Sequence, residues 1–149
     1  MPPPTTIHAM VERCRAAEFP AAVAKLPSGW VIMGERQVLP GYCLLLPDPV
    51  VPHLNALAAE ARSRFLLDMA LVGDVLLRMT QAVRINYAIY GNVAPALHAH
   101  IFPRGGDEPE HARTLQPFAL DWDAAPLFSE ALYGDFKRRL SLNLKSVGA

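Results

Sequence analysis

The chain lacks the features that would mark it for export, for a membrane or for nucleic acid. It has only two cysteines, Cys14 and Cys43, in 149 residues. One falls in an amphipathic stretch and the other in an apolar one, which excludes a disulfide framework or a cysteine-rich zinc site and reads as reduced core packing. Charge of either sign is not in excess: Lys plus Arg and Asp plus Glu number 14 each, for a formal net charge of zero. No global field therefore favours nucleic acid or an acidic lipid surface, and any phosphate binding has to be local. Long hydrophobic runs are missing as well, since none approaches the ~20 residues a membrane span needs. The opening Met-Pro-Pro-Pro-Thr-Thr has neither the basic nor the apolar region of a secretion signal. A cytoplasmic protein with no membrane and no nucleic acid as partner is expected by elimination. There is no internal repeat and no low-complexity tract.

What is present is apolar content, 52% of 149 residues. That is enough for one compact domain with its own core and too little for two, so residues 1–149 are expected to form a single domain. Thr6 is placed to cap a short helix on which Ile7, Met10, Val11 and Cys14 recur at helical spacing, with Pro20 closing it. Residues 21–26, 30–34 and 42–46 read as short strands separated by Pro27-Ser28-Gly29 and by Leu39-Pro40-Gly41. A long helix is expected over 55–81, with Leu57, Phe65, Leu66, Met69, Gly73, Leu76, Leu77 and Thr80 on one stripe. Leu71, Val75 and Met79 form a second, and a helix apolar on two sides is buried on two sides. Either a second copy of the chain or the C-terminal segment would cover it. Residues 105–111 are polar and turn-rich, 115–127 are broken by prolines, and 129–144 read as a last helix with Leu132, Phe136, Leu140 and Leu144 four apart.

The most informative segment is 95–104, Pro-Ala-Leu-His-Ala-His-Ile-Phe-Pro-Arg. Side chains alternate across a strand, so His98 and His100 share one face while Leu97, Ala99 and Ile101 share the other. One face is free for chemistry and the other packs a core. The preceding strand, read from Arg84, ends in Gly91-Asn92, a pair that favours a turn with exposed backbone amides. From spacing alone the two histidines also fit ordinary strand residues, or two ligands of a metal. Zinc asks for three or four protein ligands, however, and only His8, His53 and His111 remain.

Residues 86–104 resemble the signature of the histidine triad (HIT) superfamily, His-φ-His-φ-His-φ-φ with Pro-Arg often following. Anchored on Pro103-Arg104, the second and third motif histidines fall on His98 and His100, and Ala96 stands at the first. Upstream, Leu39-Pro40-Gly41-Tyr42-Cys43-Leu44-Leu45-Leu46-Pro47 is similar to the family's Pro-Gly-His-φ-φ-φ-φ-Pro strand. The resemblance covers roughly 20–104 and leaves 105–149 as a loop and C-terminal helix. It implies an α+β fold, an antiparallel sheet of about five strands with a long helix packed on it and a C-terminal helix.

It also implies a hydrolase of the diadenosine polyphosphate type, a nucleotide phosphohydrolase or nucleotidyl transferase. Such an enzyme acts at the α-phosphate of dinucleoside polyphosphates or nucleoside phosphoramidates through a nucleotidyl-histidine. The alternative is a weakened or inactive nucleotide-binding module that lost its first histidine at Ala96. On this reading His98 attacks, His100 assists the leaving group, and the main chain of Ala96 orients His98. Asn86, Gly91, Asn92 and Arg104 meet phosphate or ribose, and Glu35 or Gln37 approaches the ribose hydroxyls. No metal site or cofactor is implied, although a divalent metal can come bound to the substrate, and homodimers are usual.

Overall fold

The computed structural model describes residues 3–148. Helix α1 (Thr6–Arg15) is followed by strands β1 (Ala22–Leu26), β2 (Gly29–Met33) and β3 (Cys43–Pro47), the long helix α2 (Ala59–Met79), strands β4 (Ala82–Ala88) and β5 (Ala99–Gly105), a single turn α3 (Glu110–Arg113) and helix α4 (Glu130–Gly148). The five strands form one antiparallel sheet in the order β1-β2-β3-β5-β4. This is the α+β arrangement expected from the sequence.

The sheet is covered on both faces, which explains why β3 is buried along its whole length instead of alternating. On one face Cys43, Leu45, Ala99 and Ile101 pack with Phe65, Val72, Val75 and Leu76 of α2 and with Leu140 and Leu144 of α4. On the other, Leu44, Leu46 and Phe102 pack with Ile7, Val11 and Cys14 of α1 and with Tyr42 and Trp122. Both cysteines are buried and free, and burial pushes the Cys14 thiol up to about 11.

Several sequence expectations need correction. The cap of α1 is Thr5, not Thr6: its hydroxyl accepts from the Ile7 amide at 3.1 Å, while its own amide donates to the His8 ring at 3.0 Å. That reciprocal capping box satisfies two amides that a Thr6 cap would leave open. The helix also ends at Arg15, before Pro20 is reached. On α2, Leu66 and Leu77 are exposed, at 36% and 39%, and Val72 and Val75 take the inner positions. Two members of the second stripe, Val75 and Met79, are covered within the chain, in one cluster with Leu140, Leu144 and Phe136 of α4, while Leu71 is half-buried outside it. That stripe therefore gives no support to a second copy.

Asp68 of α2 is fully buried yet charge-matched. Its carboxylate accepts from Arg64 at 2.7 Å and from the Ser28 amide at 3.0 Å, and so ties the helix to the β1–β2 turn.

Candidate functional site

Register brings the site together. His100 lies opposite Leu44 of β3 and Ala88 of β4, so its ring stands on the α1 face of the sheet beside Phe102. His98 lies one residue before β5 begins, but its ring still meets that of His100, with centroids 5.0 Å apart and the planes crossed at 73°. Both rings line one cavity of about 570 Å³, walled by Thr6, Ile7 and Met10 of α1, by Leu44 and Phe118, and by Tyr90-Gly91-Asn92-Val93-Ala94. The pair, Gly91 and Asn92 thus converge as the sequence indicates. Gly91 has φ of +85°, a backbone state that side-chain-bearing residues rarely adopt, and this lets the chain fold back under the histidines. Val93 is fully exposed there and brings no hydroxyl.

Each histidine is held by its Nδ1. That of His98 is 2.7 Å from the carbonyl oxygen of Ala96. A carbonyl can only accept, so Nδ1 carries a hydrogen, and in the neutral ring it is Nε2 that keeps the lone pair. The Ala96 side chain is fully buried, and only its main chain takes part. His100 Nδ1 is 2.6 Å from the hydroxyl of Tyr42. Burial, with the His98 ring beside it as the lesser cause, lowers the His100 pKa from 6.5 to about 4, so this ring is neutral near pH 7.

Arg104 and Asn86 do not reach this cavity. Arg104 is buried and gives its guanidinium to Glu108 at 2.8 Å, to the Asn86 side-chain oxygen at 2.9 Å, and to the carbonyls of Leu115 and Ala112 at 2.7 and 3.1 Å. Its donors are consumed in pinning residues 108–115 to the sheet; Asn86 gives it only the side-chain oxygen, and both residues line the neighbouring cavity described below. Gln37 is buried as a brace: its amide donates to the carbonyls of Gly34 and Tyr42 and accepts from the Gly41 amide, at 2.8, 2.9 and 3.0 Å. Glu35 is exposed, and its carbonyl accepts from the Phe128 amide at 2.6 Å. Neither lines the histidine cavity, so the expected ribose contacts from Glu35 and Gln37 are not formed there.

The pinned loop also walls a further cavity. A second cavity, of about 740 Å³, lies on the same face, between β4 and residues 105–118, and shares Tyr90 and Phe118 with the first. Those two rings meet edge to face at 5.5 Å. Arg84, Asn86, Arg113, Thr114 and Gln116 add polar lining. The proline-broken sequence of 115–127 gave no signal for this wall, because its order comes from Arg104 and from Phe118 stacking on Trp122 at 5.3 Å.

The five-stranded antiparallel sheet, with the His-x-His pair at the head of its fourth strand in space, has the fold of solved histidine triad proteins. The comparisons with known proteins agree. A histidine triad protein from Marinobacter aquaeolei superposes with a TM-score of 0.74 over 92% of this chain and 96% of its own, at 18% identity. A hypothetical histidine triad nucleotide-binding protein from Sulfolobus tokodaii does so with a TM-score of 0.71 over 93% of each chain, at 13% identity. In sequence, the bifunctional bis(5'-adenosyl)-triphosphatase/adenylylsulfatase FHIT of Arabidopsis thaliana is 32% identical over 87 residues, which cover 54% of this chain. The match spans about half of that relative, 48% of its length. No family model matches the chain.

Proposed function

We propose that the chain is a nucleotide-binding enzyme that cleaves at an α-phosphate through a nucleotidyl-histidine on His98. The observation that carries this reading is the 2.7 Å bond from His98 Nδ1 to the Ala96 carbonyl, which in the neutral ring turns the lone pair of Nε2 to the cavity side. The Nε2 lone pair attacks the α-phosphorus, the bond to the bridging atom breaks, and the leaving group departs with the electron pair and takes a proton from solvent water. Water, or another acceptor, then cleaves the N–P bond and restores His98. Gly91 and Asn92 edge the phosphate position, and developing negative charge there is met by donors already in place. No resident cofactor enters; a divalent cation, where one takes part, arrives on the substrate's phosphates.

A substrate with two large halves, such as a dinucleoside polyphosphate, suits two adjoining cavities that share the Tyr90 and Phe118 walls. A nucleoside phosphoramidate would use the first cavity alone. The working unit is the single domain 1–149, cytoplasmic in location. A homodimer is proposed at β4, an edge strand whose Val83 and Tyr87 are 64% and 41% exposed. Light scattering at low concentration should give twice the 16.3 kDa chain mass, and a charged residue at Val83 should return the monomer.

A second reading is favoured by Ala96 itself, which puts a methyl group where the resembling motif has an imidazole. On that reading the cavity binds nucleotides without turning them over. Calorimetry with adenosine monophosphate, together with acid-sensitive mass detection of nucleotidylated His98 during incubation with adenosine phosphoramidate, separates the two. Binding with a covalent adduct supports the enzyme, binding with no adduct and no turnover supports the module, and no binding removes both.

A further inference from the structure

Tyr42 has no part in the steps above, and at its position in the Pro-Gly-x strand the resembling family pattern has histidine. Its ring is held on three sides. It lies flat on Phe102 at 4.3 Å and 12°, meets the edge of Trp122 at 5.6 Å and 84°, and covers Gly34, where a Cβ would come within 2.2 Å of the ring. So clamped, the hydroxyl reaches 2.6 Å from His100 Nδ1, its one hydrogen-bond partner among the described residues. Burial holds the phenol protonated, above its ordinary range. A buried phenol has one hydrogen to give. If Nδ1–H of His100 donated instead, the phenolic hydrogen would be left without an acceptor, at a cost of about 1–3 kcal/mol.

We propose that Tyr42 is a positioning residue that holds His100 as the tautomer protonated at Nε2, so that His100 presents a fixed hydrogen-bond donor inside the cavity. The two rings are then held in opposite states by their Nδ1 partners. Ala96, an acceptor, leaves His98 with a bare Nε2; Tyr42, a donor, leaves His100 with an Nε2–H. A bare nitrogen attacks phosphorus, whereas an N–H serves a phosphate or leaving-group oxygen. Only that use of the donor rests on the proposed function, since the tautomer belongs to the ligand-free protein. The titratable groups facing His100 are Tyr42 after β2, His98 before β5 and Tyr90 after β4. From α1 and the 117–119 turn come Thr6, Ile7, Met10 and Phe118, which do not titrate.

The test is the 15N spectrum of the histidine rings in the ligand-free protein, followed through the range in which histidine titrates. Wild type should show a pyridine-like Nδ1 and a pyrrole-like Nε2 for His100. Tyr42→Phe keeps the stacked ring and removes only the hydroxyl; it should give mixed tautomers and raise the His100 midpoint towards the ordinary histidine value. With adenosine phosphoramidate, kcat should fall on the order of tenfold with KM little changed.

A wild-type His100 protonated at Nδ1 overturns the proposal. So does a Tyr42→Phe variant whose melting temperature drops while the His100 shifts and midpoint stay put, because the hydroxyl then only supports the fold. If the variant does not fold, the wild-type spectrum alone decides. A chain with no turnover but the expected shifts counts against the catalytic reading and leaves the tautomer assignment standing.

Discussion

The two ends of β5 carry polar side chains on the same face of one sheet and use them in opposite ways. At the tail, Arg104 has five N–H donors, and Glu108, Asn86, Leu115 and Ala112 take them all. At the head, His98 and His100 each spend one ring nitrogen on the protein, through Ala96 and Tyr42, and keep the other. Unspent hydrogen-bonding capacity beside a cavity is what a ligand can use, while spent capacity holds the fold. The same contrast separates Gly91 and Asn92, at the edge of the cavity, from Gln37, whose amide is fully engaged in a loop closure.

The strongest way to break this comparison is at the head. His98→Ala removes the nitrogen that the proposed mechanism consumes, so turnover of adenosine phosphoramidate should drop by at least about a thousandfold. Affinity for adenosine monophosphate should change little, because ground-state binding rests on the other walls of the cavity. A variant that retained turnover within tenfold of wild type would move the nucleophile elsewhere. Steady-state kinetics beside calorimetry on the same samples decides this.

The tail should answer in stability. Arg104 and Glu108 expose only 7% and 12% of their side chains, so Arg104→Leu strands a carboxylate together with the carbonyls of Ala112 and Leu115. Removing one partner of such a pair costs about 3 kcal/mol. The 105–118 wall should loosen with it. Chemical denaturation reads the first effect, and proteolysis within that segment reads the second. The histidine cavity keeps its own Nδ1 bonds in this variant, so phosphoramidate turnover should outlast the loss of any preference for two-headed substrates.

How much of this was legible in the sequence follows the range of the interactions. Turn residues bounding short apolar runs marked the strands and helical spacing marked α2, because those signals are written in each element's own residues, whereas the five-stranded sheet came from the family resemblance. The His pair was legible for the same reason, being set by a period of two. The engagement of Arg104 is not legible, because its partners lie at Asn86 and across 108–115 and no local pattern announces them. Tyr42 stood in the motif strand, but its contact with His100 was invisible for a similar reason: the two are 58 residues apart. Gln37 was the exception, since its three bonds are local. A glutamine just before Leu-Pro-Gly could have been read as a loop brace.

The smallest effect is expected at Ala96, and it sharpens the head of β5 from within. Restoring the motif residue, Ala96→His, looks from the sequence like a repair that should speed the enzyme. The structure argues otherwise, because the contact that orients His98 is made by the carbonyl of residue 96, which any side chain leaves in place. The Ala96 methyl group is fully buried in an apolar cluster with Ile7, Val11 and Leu44. An imidazole there has to displace α1 or leave its polar nitrogens unmatched, and overpacking of that kind costs about 1–3 kcal/mol. The variant should therefore melt earlier while its kcat stays within a fewfold of wild type. A large rise in kcat would mean that the side chain lost at this position, and not the carbonyl, limits how well His98 is held.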